Sequence, residues 1–144
     1  MIIRSWFLKG SKPTTKYVLD RSQKIHTFGA LSIGRVVTKL SPKINRKKYF
    51  AFLKRLHKHN KKLCIIIDNA RWHLTKEVLA YIRDQNIKMI RLPPYSPELN
   101  PIEQYWKNIK QWLATRMFYN KQQLINELRK ALRKHIFIPQ ISDY

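Results

Sequence analysis

The chain carries 30 Lys and Arg against 8 Asp and Glu, so every carboxylate can be weighed individually, and two stand apart. Asp68 directly follows Leu63-Cys-Ile-Ile-Ile67, a continuous apolar run of strand length. It therefore projects at the carboxyl edge of a strand, where α/β sheets place their ligands. Its other reading is an Asx-turn that carries Asp68-Asn69 off the strand. Glu103 closes the segment Pro93-Pro-Tyr-Ser-Pro-Glu-Leu-Asn-Pro-Ile-Glu103. Pro93 and Pro94 stop a strand because neither offers a ladder donor. Pro101 suits the first position of a helix, which makes Asn100 the cap and Glu103 the third residue. A capping box, or a pair with Lys107 one turn on, would account for Glu103 without any chemistry. A cap, however, does not require four prolines in nine residues. A loop that rigid suits a metal ligand that must hold its position, and carboxylate oxygens suit a hard cation such as Mg²⁺.

The other acids have no comparable setting. Glu77, Asp84 and Glu127 fall on predicted helices beside basic residues, and Glu98 sits in the proline-rich loop. Asp20 is flanked by Arg21 and Lys24, and Asp143 lies in the tail. His57-Lys-His59 lacks a second ligand pair, and two residues at that spacing on a helix diverge, so a solvated face is expected there rather than zinc.

The elements that must position Asp68 and Glu103 follow from periodicity. Ile2 to Leu8 reads as a strand and Gly10 to Pro13 as a turn. Ile25 to Ile33 and Arg35 to Leu40 read as two strands around Gly34. Asn45 caps a predicted helix to about His59, with Tyr49, Phe52, Leu53 and Leu56 on its apolar face. Leu63 to Ile67 is expected to be a strand covered on both faces. A helix from Thr75 to Asp84 follows, with Val78, Leu79 and Ile82 inward, and then a strand from Ile87 to Leu92. That order implies a right-handed parallel crossover. Helices from about Pro101 to Met117 and Lys121 to His135 finish the chain. Their apolar registers are Ile102, Trp106, Ile109 and Leu113, and Leu124, Leu128, Ala131 and Leu132. The class is α/β. With three glycines, no repeat and no low-complexity linker, residues 1–144 read as one domain.

A formal charge of +22 favours a polyanionic partner, with nucleic acid first. An anionic membrane ranks second, but no apolar run approaches the ~20 residues of a spanning helix. One cysteine, Cys64, fits a reducing cytoplasm, and Met1 to Gly10 lacks the apolar stretch of a secretory leader. A basic ribosomal-type protein has the same composition.

Two blocks together carry a resemblance. Ile65-Ile-Ile-Asp68-Asn69-Ala70 is followed by His73, and Leu92-Pro-Pro-Tyr-Ser-Pro-Glu-Leu-Asn-Pro-Ile-Glu103 runs on into Gln-Tyr-Trp106-Lys-Asn-Ile-Lys110. With 34 residues between Asp68 and Glu103, the chain resembles the mariner-type DDE transposases, especially their bacterial and archaeal insertion-sequence branch. Trp6-Phe-Leu-Lys9-Gly10 and Pro13 are similar to the Trp-x-x-Lys-Gly segment of that family.

The resemblance implies a ribonuclease H-like fold and a metal-dependent site that cuts DNA at transposon ends and joins the ends to a target. Asp68 and Glu103 would be two of its carboxylate ligands for two Mg²⁺ or Mn²⁺ ions. Asn69, His73 and Asn100 would lie near them; a hydrogen-bonded structural role for His73 is equally open. Arg71, Lys107, Lys110 and Trp112 are weaker candidates for DNA contact, Trp112 by stacking on bases. The family's first Asp precedes its Trp-x-x-Lys-Gly segment, whereas here only Met1 to Ser5 precede Trp6. The expectation is a catalytic fragment without that first strand and without the upstream helix-turn-helix region. Such a chain would hold at most one metal weakly and be inactive alone. It could self-associate through an exposed sheet edge or pair with an intact transposase. A non-catalytic basic DNA-binding protein that inhibits such a transposase is the competing expectation.

Overall fold

The computed structural model describes residues 24–60, 62–134 and 137–139. The expected strand at Ile2 to Leu8, the turn at Gly10 to Pro13, the Trp6 to Gly10 segment, Asp20 and Asp143 lie outside the described residues.

Strands β1 (His26–Ser32) and β2 (Arg35–Ser41) form an antiparallel hairpin in which Ser32 faces Arg35. The two-residue turn needs a left-handed backbone, and Gly34 supplies it at φ 63° without a Cβ penalty. The pleat sends alternate residues to opposite faces. Phe28, Ala30 and Val37 join one apolar cluster, while Val36 and Leu40 join another. The hairpin is thus a partition with a helical layer on each side.

The first layer contains α1 (Arg46–His59) and α2 (Lys76–Asp84). Asn45 caps α1 as its sequence position requires, its Oδ1 accepting from Lys48 N at 2.9 Å. Tyr49, Phe52 and Leu53 pack with Phe28, Val78, Ile82 and Ile87. Strands β3 (Cys64–Ile67) and β4 (Lys88–Arg91) pair in parallel with α2 between them in sequence. Ile65 and Met89, register partners, pack against this cluster.

Two expectations need correction here. The β3 run is covered on one face only: Cys64 is exposed, and Ile66 and its partner Ile90 are 64% and 53% exposed. Helices lie against the Ile65 side, and no described element covers the other. Leu79 is likewise outward, because Val78 and Ile82, four apart, define the inner face of α2 and Leu79 turns about 100° from it.

The second layer is α3 (Pro101–Ala114) against α4 (Lys121–Leu132), both ending short of the expected Met117 and His135. Tyr105, Ile109, Leu128 and Ala131 are its buried centre, with Ile102, Trp106, Leu113 and Leu132 around them. Tyr105, absent from the expected apolar register, has no exposed surface, and its hydroxyl donates to Leu132 O at 3.2 Å. Asn120 caps α4 by accepting from Gln123 N at 2.9 Å.

Candidate active site at the carboxyl edge of the parallel strands

Asp68 is the first residue beyond β3, at the carboxyl end of the parallel pair. Its Oδ1 accepts from Ala70 N at 3.0 Å, so the Asx-turn does form. The side chain nevertheless stays 52% exposed, and Oδ2 makes no hydrogen bond among the described residues. The turn fixes the carboxylate by one oxygen and leaves the other toward solvent.

His73 stands over the same oxygen. It lies in a 3₁₀ turn, Arg71–Leu74, with Nδ1 2.9 Å from Asp68 Oδ1. Nδ1 is buried and out of line for a hydrogen bond, so the approach is an electrostatic contact rather than an aligned bond. Burial pushes the His73 pKa below its ordinary 6.5, outweighing Asp68, which acts in the opposite direction. The imidazole is therefore neutral at pH 7. Its ring packs on Tyr49 of α1 at 4.3 Å between centroids. Burial and then the charge of Asp68 raise the Tyr49 phenol to about 12. Tyr49 was legible in sequence only as an apolar-face residue, yet it backs the histidine beside the acid.

Asn69 joins the two loops that leave this edge. Its Nδ2 donates to Leu92 O at 2.9 Å, and Leu92 N donates to Ile67 O at 2.9 Å, extending the ladder beyond β4. The loop holding Asp68 is thus fastened to the start of the segment that leads to Glu103. In that segment Tyr95 is fully exposed and takes φ 57°, a left-handed backbone uncommon for an aromatic residue. A short 3₁₀ turn, Pro97–Leu99, delivers the chain to Asn100.

Asn100 precedes α3 and Glu103 lies in its first turn, but the capping box is not made. Asn100 makes no side-chain cap bond; its carbonyl accepts from Glu103 N at 2.9 Å. Glu103 is exposed, and its carboxylate makes no hydrogen bond or ion pair among the described residues, Lys107 included. Neither structural role that would account for Glu103 is in use. Among the described residues no three His, Cys, Asp or Glu side chains gather as a metal cluster.

The weaker candidates divide. Arg71, Lys107 and Lys110 are exposed. Trp112 corrects the stacking expectation: the Arg116 guanidinium lies 3.3 Å from its ring centroid, and Phe137 meets it edge-on at 6.2 Å. Trp72, 40% exposed beside His73, is the more open indole. Glu127, expected on a solvated face, instead pairs with Lys130 at 2.6 Å and Arg116 at 3.5 Å.

This arrangement has relatives. Residues 2–125 match the DDE superfamily endonuclease family. An uncharacterized protein, y4pE/y4sA, of Sinorhizobium fredii (strain NBRC 101917 / NGR234) is 34% identical over 76 residues, covering 52% of this chain and 54% of its own. The chain thus spans about half the length of that curated relative. Among solved structures, a Mos1 transposase paired-end complex with left transposon end aligns at TM-score 0.70 and 19% identity, covering 94% of this chain and 44% of that one. The Mos1 transposase catalytic domain with raltegravir and Mg aligns at TM-score 0.57 and 18% identity, covering 72% and 59%. The fold is the ribonuclease H-like fold of those catalytic domains. Since the family match takes in both Asp68 and Glu103 and most of the chain between its ends, the protein belongs to the DDE superfamily endonucleases.

Proposed function

We propose that this chain is the catalytic-domain portion of a DNA transposase, with Asp68 and Glu103 as carboxylates of a site that uses Mg²⁺ or Mn²⁺ to cut and rejoin DNA. The observation that carries this reading is that two acids, one just beyond β3 and one in the first turn of α3, are uncommitted among the described residues. Asp68 is fixed by a single oxygen and Glu103 is bound to nothing described, in a protein with 30 cations available to neutralise them. Two free carboxylates offer hard oxygen donors, which fit a magnesium-type ion. A bound ion would stabilise charge on the oxygens of a phosphodiester.

The protein's own contributions are positional and electrostatic. Asn69 fastens the loop that carries Asp68 to Leu92, where the segment leading to Glu103 begins. The Asx-turn leaves Asp68 one outward oxygen, and His73, kept neutral, shields the inner one without adding a cation. Arg71, Lys107 and Lys110 are exposed and offer charge suited to a DNA backbone.

A second reading, DNA binding without cleavage, is favoured by the formal charge of +22, which suits a polyanion whether or not a metal is held. Mn²⁺ titration followed by electron paramagnetic resonance, paired with nicking of supercoiled DNA, separates the two. Mn²⁺ binding that Asp68→Asn and Glu103→Gln each abolish, with any nicking lost in parallel, supports the metal site. DNA binding with no Mn²⁺ uptake supports the second reading.

A further inference from the structure

Two adjoining concavities of about 380 Å³ and about 480 Å³ share Thr38, Leu132 and Arg133 and form one groove between β2 and α4. Its basic lining comes from three elements and the residues just after α4: Arg35 and Lys39 of β2, Arg55 of α1, and Arg129, Arg133 and Lys134. Among the described residues no Asp or Glu lines it. None of the six cations forms an ion pair among the described residues. Glu127, the acid of α4, is already taken by Arg116 and Lys130. None of the Asp68 or Glu103 site residues lines the groove.

Six cations without an ion pair among the described residues converge on one concavity and repel each other; the Lys134 ammonium alone has a further described contact, 5.2 Å from the Trp112 ring centroid. Their complement is a ligand that brings several negative charges in a row. Four of the six are arginines, whose planar forks pair two-to-one with phosphate oxygens. Arg129 of α4 and Arg133, its C-cap in helical conformation, are four residues apart and both line the groove, which presents two forks to it. Its uncharged lining includes Thr38, Leu40 and Leu132, and among the described residues no aromatic ring on which a base could stack lines it.

We propose that this groove is a second DNA-contacting surface, separate from the carboxylate edge, that grips the phosphodiester backbone without reading sequence. It deepens the DNA-binding part of the function proposed above and rests on it. Contacts of this kind position the duplex and carry no base information. They need no metal.

The experiment measures binding of the whole chain to a fluorescent duplex by anisotropy in EDTA across a range of salt. Arg129→Gln/Arg133→Gln is compared with a charge-matched control on α2, Lys76→Gln/Arg83→Gln, and with Arg129→Lys/Arg133→Lys. Circular dichroism confirms that each variant is folded. The Gln pair is expected to weaken binding roughly tenfold and reduce the salt slope by about 2, equally on matched and scrambled sequences. The control is expected to change little, and the Lys pair to recover most of the slope. Equal losses in the groove and control pairs would overturn the groove while leaving the DNA-binding reading intact. So would polyglutamate displacing the duplex charge for charge. No binding by the unaltered chain would defeat the DNA-binding reading itself.

Discussion

Trp106 lies against Gly29 so closely that a methyl group on Gly29 would come within 2.4 Å of Trp106 Cζ2. It would also stand 2.9 Å from Ile102 Cδ1. Both partners sit in the first two turns of α3, the helix that carries Glu103, so this approach sets how near that helix start comes to the hairpin. Glycine within a strand often marks such a close backbone approach. Gly29→Ala is expected to cost about 1–3 kcal/mol through overpacking, even though alanine is the better residue in an extended chain. Urea denaturation checks the cost. An amide spectrum of the folded variant should show the largest shifts at residues 102–106, and a stability equal to that of the parent would refute the contact.

Asn69 is the bond between the two loops of the carboxylate edge. Asn69→Ala removes one side-chain hydrogen bond on an exposed loop, a loss of about 0.5–1.5 kcal/mol. The larger expected effect is on Mn²⁺ affinity, because Asp68 and the approach to Glu103 then move independently. Calorimetric titration with Mn²⁺ is the measurement. Unchanged affinity in a loosened variant would show that the fastening does not serve the site.

What the sequence made legible was mostly local. The cap at Asn45 depends on one side chain reaching a backbone N–H three residues on and forms where expected, whereas the Asn100 side chain makes no such bond. The strand before Asp68 and the proline stop before α3 are also local, and both are present. Facing was less legible. Whether β3 is covered once or twice depends on what packs beside it, which an apolar run does not state, so Ile66 emerges exposed. The two candidate acids could be singled out in the sequence, but what packs behind Asp68 and under α3 could not. Tyr49 backing His73 joins α1 to a turn 24 residues later, and Gly29 under Trp106 joins β1 to α3; neither pairing leaves a periodic trace.

Tyr105 should make stability fall at alkaline pH. Burial raises its pKa from 10.0 to about 12, so between those values the unfolded chain releases the phenolic proton and the folded chain keeps it. The unfolded state then binds fewer protons, and stability falls as pH rises through that window. The informative quantity is the difference from Tyr105→Phe, in which every contribution the two proteins share cancels. That variant loses the bond to Leu132 O, about 1 kcal/mol at neutral pH. The gap should narrow from about pH 10 to about pH 12. A constant gap would show that Tyr105 ionises alike in both states.

Arg116 is expected to be irreplaceable by lysine. Its guanidinium lies 3.3 Å from the Trp112 ring centroid, donates to Trp112 O at 2.8 Å and approaches Glu127 at 3.5 Å. One planar group thus ties the end of α3 to α4, and an ammonium reproduces only its charge. Arg116→Lys and Arg116→Ala should each lower stability by about 1–2 kcal/mol, with lysine recovering less than half. Trp112→Ala should lower the melting temperature while leaving the salt-dependent affinity for DNA in place. A large loss of DNA affinity in folded Trp112→Ala would restore Trp112 as a base-stacking residue.

Asp68 and Glu103 should prove nearly silent in stability. An acid kept for the fold is costly to neutralise, because a buried or paired charge loses its partner. Asp68 is half-exposed and already shares its turn with what an asparagine could do, since Asn also forms Asx-turns. Glu103 has no described partner and gains only the field of the helix start, about 0.3–1 kcal/mol. In EDTA, Asp68→Asn should therefore unfold within about 0.5 kcal/mol of the parent, and Glu103→Gln within about 1 kcal/mol. Added Mn²⁺ should raise the melting temperature of the parent and of neither variant, since a ligand that binds only the folded state stabilises by mass action. The separation matters because structural and metal-binding acids lose different things. A variant that melts far below the parent in EDTA would identify its carboxylate as part of the scaffold. Mn²⁺ stabilisation that survives both substitutions would place the metal on other residues.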